Sequence, residues 1–172
     1  DYISTSAIDL GDSFTISAWI KPDGKSNINT IVANSNSGSS TDGFKLYYNS
    51  WATSDGKIIL EVGNTAYGAS ASTNASVVTI SPVAWQHVIL VVDRATGTAT
   101  IYHNATDGTT DSTISLQAGA AFNVNSSLVI GAMKDGHYFD GTINEVAIWN
   151  EELTSSEITA LYNSGSALSA DS

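Results

Sequence analysis

The chain predicts an all-β fold: two antiparallel sheets packed as a sandwich and completed by one short C-terminal helix. Three observations carry that expectation. Short apolar stretches recur along the 172 residues, with Gly-, Asp- and Pro-containing turns between them. Hydrophobic residues make up 42% and charged residues 13%, with small polar residues filling the gaps, a balance that suits strands and turns better than solvated helices. One stretch, Phe139 to Leu161, reads as a long strand, a tight break and a single capped helix.

Asp1-Tyr2-Ile3-Ser4 reads as an edge strand, with a turn at Asp9-Leu10-Gly11-Asp12. Phe14 to Ile20 alternates as a core strand that Pro22-Asp23-Gly24 ends. Thr30 to Asn34 is a short strand, and Ser35 to Asp42, all small polar residues and glycine, is a loop leading to Gly43–Tyr48. Ser54-Asp55-Gly56 turns that strand back into Lys57–Val62, so the two should pair. Gly63 to Ala75 is a second long loop, and Val77 to Ile80 a short strand stopped near Pro82.

The clearest hairpin is Trp85–Asp93, the turn Arg94-Ala95-Thr96-Gly97, and Thr98–His103. Ser112–Leu116 and Ser127–Ala132 add strands before the loop Lys134-Asp135-Gly136-His137-Tyr138. In the last strand Val146 and Ile148 fall on one face and Ile143, Ala147 and Trp149 on the other. With both faces covered, this strand is expected mid-sheet. Thr154 or Ser155 can cap the helix, Glu157 can close a capping box, and Ile158, Leu161 and Tyr162 form one apolar stripe. No repeat and no internal linker interrupts the chain, so one domain is expected over residues 1–164, with 165–172 a flexible tail.

The net charge is −11, from 17 acids against six Lys plus Arg. Lys21, Lys25, Lys45, Lys57, Arg94 and Lys134 assemble no basic patch, which disfavours nucleic acid and anionic membranes and favours neutral over sulfated glycans. Without cysteine there is no disulfide, thiolate metal site or Cys nucleophile. No apolar span of membrane length is present, and the start directly on a strand suggests a module of a longer chain. The Asn/Ser/Thr/Gly-rich surface fits a secreted or cell-surface setting.

Phe14-Thr15-Ile16-Ser17-Ala18-Trp19-Ile20-Lys21-Pro22, Trp85-Gln86-His87-Val88 and the closing Phe139-Asp140-Gly141-Thr142-Ile143-Asn144-Glu145-Val146 run come in the order seen in laminin-G-like domains. The chain therefore resembles a laminin-G-like domain of the concanavalin A-like lectin/glucanase superfamily, and the resemblance implies a jelly-roll sandwich. That superfamily includes sugar binders, adhesion modules and glycosidases, so the chemistry has to be read from the residues.

Retaining glycosidases need two carboxyl groups about 5 Å apart. The Glu-x-Asp-x-x-Glu run of the β-glucanase relatives is absent; Glu151, Glu152 and Glu157 cluster at the helix start, and Glu145 alone sits on the closing strand, where it reads as a structural acid. His87 and His103 lie on adjacent strands and could share a face, but no third ligand follows by spacing, and no Gly-x-Ser-x-Gly elbow exists. The resemblance implies one cofactor, a structural Ca²⁺ held by Asp1, the Asp42-Gly43 corner and Asn144. Asn144 replaces the family's Asp and removes a charge from that site.

Sugar recognition needs a flat aromatic surface and a few polar groups for the hydroxyls. Trp19, Trp85 and Trp149 sit in strand patterns and read as core, whereas Trp51, Tyr67 and Tyr138 fall in loops. With Asn49, Asp135 and His137 they form the candidate binding set. The reading is a non-catalytic carbohydrate-binding module of a larger extracellular protein, its partner a glycan or polysaccharide. The alternative is a protein-binding, adhesive laminin-G-like module of a surface protein, and a glycosidase with an unfamiliar carboxylate pair comes third.

Overall fold

The computed structural model describes residues 1–24, 27–35, 43–63, 80, 82–105, 112–116, 120–122, 125–133 and 136–167. The described residues form the expected sandwich. One sheet holds β1 (Ile3–Asp9), β9 (Asn125–Ile130), β3 (Asn29–Ala33), β4 (Phe44–Tyr48) and β5 (Ile58–Val62) in that order. The other runs β10 (Gly141–Trp149), β2 (Ser13–Pro22), β6 (Gln86–Asp93), β7 (Thr98–His103) and β8 (Ser112–Ser115). Every pairing is antiparallel, including both hairpins the turns predict, β4–β5 and β6–β7.

Alternation along each strand decides what the two sheets enclose. On β2 the side chains Phe14, Ile16, Ala18 and Ile20 point inward, opposite Val92, Leu90 and Val88 of β6. From the other sheet Phe44, Leu46, Tyr48, Leu60 and Leu128 meet them. The rings of Phe14, Phe44 and Phe122 form a triangle with centroids 5.5 to 5.8 Å apart at its middle.

The closing strand differs from its sequence reading. β10 is an edge strand, half-buried or exposed throughout, while β2 and β6 hold the centre of the sheet. Its register to β2 shifts between Asn144 and Ala147, where Glu145 adopts φ 47°. That bulge inserts one residue and resets the alternation, so Ile143, Val146 and Ile148 all face the core and Asn144, Ala147 and Trp149 all face out. What reads as two apolar faces in the sequence is one apolar face on either side of a bulge.

Thr154 caps α1 (Ser155–Tyr162): its hydroxyl accepts from the Glu157 N–H, and the Glu157 carboxylate accepts from the Thr154 N–H at 2.7 Å. A 3-10 turn, Asn163–Gly165, follows. The helix lies on the outer face of the second sheet, where Ile158, Leu161 and Leu153 cover Ile89, Val91 and Tyr102. Its start is pinned by Thr15, whose hydroxyl donates to the Glu151 carbonyl (2.8 Å) and accepts from the Leu153 N–H (3.1 Å). Of the expected strand Val77–Ile80 only buried Ile80 lies within the described residues, and the tail is described only to Ala167.

Candidate functional site

Antiparallel topology brings the N-termini of β1, β3, β5, β6 and β10 and the C-termini of β2, β4, β7 and β9 to one pole of the sandwich. Among the described residues the exposed large hydrophobic side chains are Tyr2, Ile3, Trp51, Val83, Trp85 and Tyr138, and all six sit at that pole. Their gathering at one end makes this pole the candidate site.

Trp51, 66% exposed, owes its position to a stiff turn between β4 and β5. Asn49 opens the turn with φ 68°, and its side-chain oxygen accepts from the Gly56 N–H at 2.9 Å. The Asp55 carboxylate accepts from the Ser50 N–H (3.0 Å) and hydroxyl (2.7 Å) and pairs with Lys57 at 3.4 Å. Burial pushes the Asp55 carboxyl up, but the bonds from Ser50 and Lys57 outweigh it and hold its pKa at about 2. Asn27 secures the tip: its N–H donates to the Thr53 carbonyl at 2.7 Å, and its side-chain oxygen accepts from Ala52.

The loop between β9 and β10 supplies the next two rings. Its buried Phe139 donates its N–H to the Gly131 carbonyl at 2.9 Å, and the Asp140 N–H donates to the Asn29 side chain at 2.9 Å. Gly141, at φ 141°, follows where a Cβ would meet the Lys21 carbonyl at 2.2 Å, so only glycine fits. Between these anchors His137, at φ 50°, sets its ring against Trp51, with centroids 5.4 Å apart at 65°. Tyr138 is 56% exposed and stands 6.2 Å from the ring of Tyr2, itself 58% exposed.

From Tyr2 and Tyr138 an open groove of about 310 Å³ descends the outer face of the first sheet. Ser4, Ser127 and Val129 line it, Met133 lies beside the tyrosines, and Asn34 and Ser35 close its far end. No charged side chain lines it among the described residues. Asn34 is committed elsewhere: its amide donates to the Phe122 carbonyl (2.7 Å) and its oxygen accepts from the Phe44 N–H (2.8 Å).

Of the candidate binding set, then, Trp51, His137 and Tyr138 come together at the surface. Asn49 does not join them, because it is fully buried and shapes the turn. Tyr67 and Asp135 lie outside the described residues. Tyr2, Ile3, Val83 and Trp85 are the exposed pole residues that the sequence reading missed. Trp85, expected in the core, is 42% exposed. The available signal was its parity with His87, which faces outward opposite Trp19, and not with core-facing Val88. Trp149 likewise faces out, half-buried, beyond the bulge.

Of the residues implied for calcium, the described ones, Asp1, Gly43 and Asn144, lie apart. Asp1 lies beside Gly131 at the start of β1, Gly43 opens β4 three places away in the sheet order, and Asn144 points outward from the other sheet. The Gly43 carbonyl accepts from the Gly63 N–H at 2.8 Å, and Asp42 lies outside the described residues. Among the described residues no group of three His, Asp or Glu stands close enough to hold a metal ion.

The histidines do not share a face. His87 is buried on the outer side under Trp19 and Tyr162, with its Nε2 2.8 Å from the Ser17 hydroxyl. His103 follows the parity of core-facing Ile101 and bonds the Gln86 side chain at 2.6 Å. Burial lowers both pKa values to about 4, so both rings are neutral at pH 7. On the outer face of the first sheet Lys45, 1% exposed, pairs with Glu61 at 2.9 Å, and Tyr47 donates to the same carboxylate. Burial, then the Glu61 charge, raises the Tyr47 pKa far above its usual range and keeps it a donor.

Fold and pole together define a lectin-like jelly-roll module. Residues 1–159 match the family model for the concanavalin A-like lectin/glucanases superfamily, and the chain belongs to that family. No curated protein matches it in sequence. Among solved structures it is similar to domain 4 of AbnA, an extracellular arabinanase of Geobacillus stearothermophilus solved with arabinotriose: 21% identity, TM-score 0.66, covering 92% of this chain and 68% of that one. It is also similar to the CBM40 of the Ruminococcus gnavus IT-sialidase bound to α2,3-sialyllactose, at 14% identity and TM-score 0.66 over 93% and 97% of the two chains. A heptameric SAP-like pentraxin of Limulus polyphemus matches at 21% identity and TM-score 0.62 over 92% and 72%. At these identities the likeness is one of fold.

Proposed function

We propose that this chain is a non-catalytic carbohydrate-binding module of a larger extracellular protein, and that it holds an uncharged glycan against the aromatic pole. The observation that carries the reading is the clustering of Trp51, His137, Tyr138 and Tyr2 on braced loops at one end of the sandwich. Rings held in place before binding offer a sugar's C–H face apolar contact at little entropic cost. The missing positive charge favours a neutral ligand, and no carboxylate lines the groove among the described residues to attack a glycosidic bond.

A glycan array read with calcium and with a chelator tests this. Uncharged glycans should be retained, and Trp51→Ala should weaken them at least about tenfold. Because Trp51 is largely exposed, the same variant should melt within about 2 °C of the parent. No glycan retained under either condition would turn the assignment to a protein ligand, and binding lost only with the chelator would restore calcium to the site.

A further inference from the structure

The pole accounts for one end of a ligand, and an open groove leads away from it. We propose that this groove binds the continuation of a linear, uncharged oligosaccharide, so that the module selects extended chains over single terminal sugars. The proposal rests on the sugar-binding reading of the pole.

Three features of the groove carry it. First, it begins at two aromatic rings, Tyr2 and Tyr138, which belong to the pole and to the groove at once. A chain seated on Trp51 and His137 has a second platform one loop residue further on. Second, its course is long and open. It runs from Tyr138, whose neighbour His137 accepts from the Thr30 N–H, down to Asn34 and Ser35 past the end of β3. Four residues of strand span about 13 Å, more than one sugar ring occupies. Third, the walls suit sugar and little else. The exposed Ser4 and Ser127 supply hydroxyls, Val129 and Met133 supply apolar floor, and nothing charged lines it among the described residues. A carboxylate- or sulfate-bearing chain would find no cation there among the described residues, and β9, paired on both sides, offers an extended peptide no strand-pairing groups along the groove floor.

Titration calorimetry with cello-, xylo- and arabino-oligosaccharides of two to six units tests the groove separately from the pole. Within the series that binds, affinity should rise at least about tenfold between the disaccharide and the tetrasaccharide. Ser127→Phe, which fills the groove from an exposed strand position, should reduce the longer ligands to disaccharide affinity and leave the disaccharide unchanged. Equal affinity at every length, or a tetrasaccharide indifferent to Ser127→Phe, overturns the groove and leaves the pole standing. No binding in any series overturns both.

Discussion

Acidification should loosen this fold through His87, in a pH window above that of the carboxylates whose pKa the fold lowers. The ring is 2% exposed, stacked 4.9 Å from Trp19 and 6.0 Å from Tyr162, and the Ser17 hydroxyl is the only group hydrogen-bonded to its Nε2 among the described residues. Burial and then the neighbouring His103 lower its pKa to about 4, against 6.5 for a free histidine. The unfolded chain therefore binds the proton more tightly than the folded one. The stabilisation is fully present above pH 6.5 and is lost as pH falls from 6.5 to 4. At about 1.4 kcal/mol per pKa unit the whole loss is about 3 kcal/mol, with about 2 kcal/mol gone by pH 5.

His103 adds to the same window, discounted because its ring is partly exposed to solvent. Asp55, Asp93 and Glu157 are lowered below their usual range, so their losses fall further to the acid side. Shrinking net charge acts in the opposite direction by relieving self-repulsion. The clean readout is therefore a difference between two proteins. Urea midpoints for wild type and His87→Gln should be measured from pH 7 to 4.5, Gln keeping a hydrogen-bonding group for Ser17 without a titrating proton. Wild type should lose about 2 kcal/mol more than the variant between pH 7 and 5. Parallel pH profiles would refute the buried, neutral histidine.

Other expectations follow from single contacts. Gly141→Ala forces a Cβ against the Lys21 carbonyl at an unfavourable φ and should cost about 3 kcal/mol, read as a lowered urea midpoint; a neutral result would mean that the β2–β10 pairing relaxes there. Thr154→Ala removes the helix cap and should cost about 1 kcal/mol. Lys45→Ala strands the Glu61 charge and should destabilise by about 3 kcal/mol, more than Lys45→Met combined with Glu61→Leu. Glu145→Gly relieves a non-glycine residue at φ 47° and should leave the melting temperature unchanged or higher; polysaccharide hydrolysis abolished by that change would instead make Glu145 a catalyst.

How much was legible follows the range of the interactions. Hairpin turns, the alternation of β2 and the Thr154–Glu157 capping box involve residues close in sequence, and each appears where the pattern puts it. Of the candidate set, Tyr67 and Asp135 lie outside the described residues, and three of the other four gather at one pole. Trp51, His137 and Tyr138 stand out as loop rings, but the burial of Asn49 depends on its carbonyl-like side-chain oxygen closing the turn at Gly56, which composition does not reveal. Tyr2 was invisible as a site residue because its partner Tyr138 lies at the far end of the chain.

By itself the sequence determined the sandwich, since period-two apolar runs broken by turns can bury their surface only as facing sheets. Its charge balance, which no folding can alter, is also what disfavours a polyanionic ligand. Tertiary structure alone decided that β10 is an edge with a single apolar face, because it pairs only with β2 and one bulged residue at Glu145 moves every later side chain to the opposite face. It alone decided that the exposed rings share a pole, because strand pairing between distant segments, and not their spacing, sets which loops become neighbours.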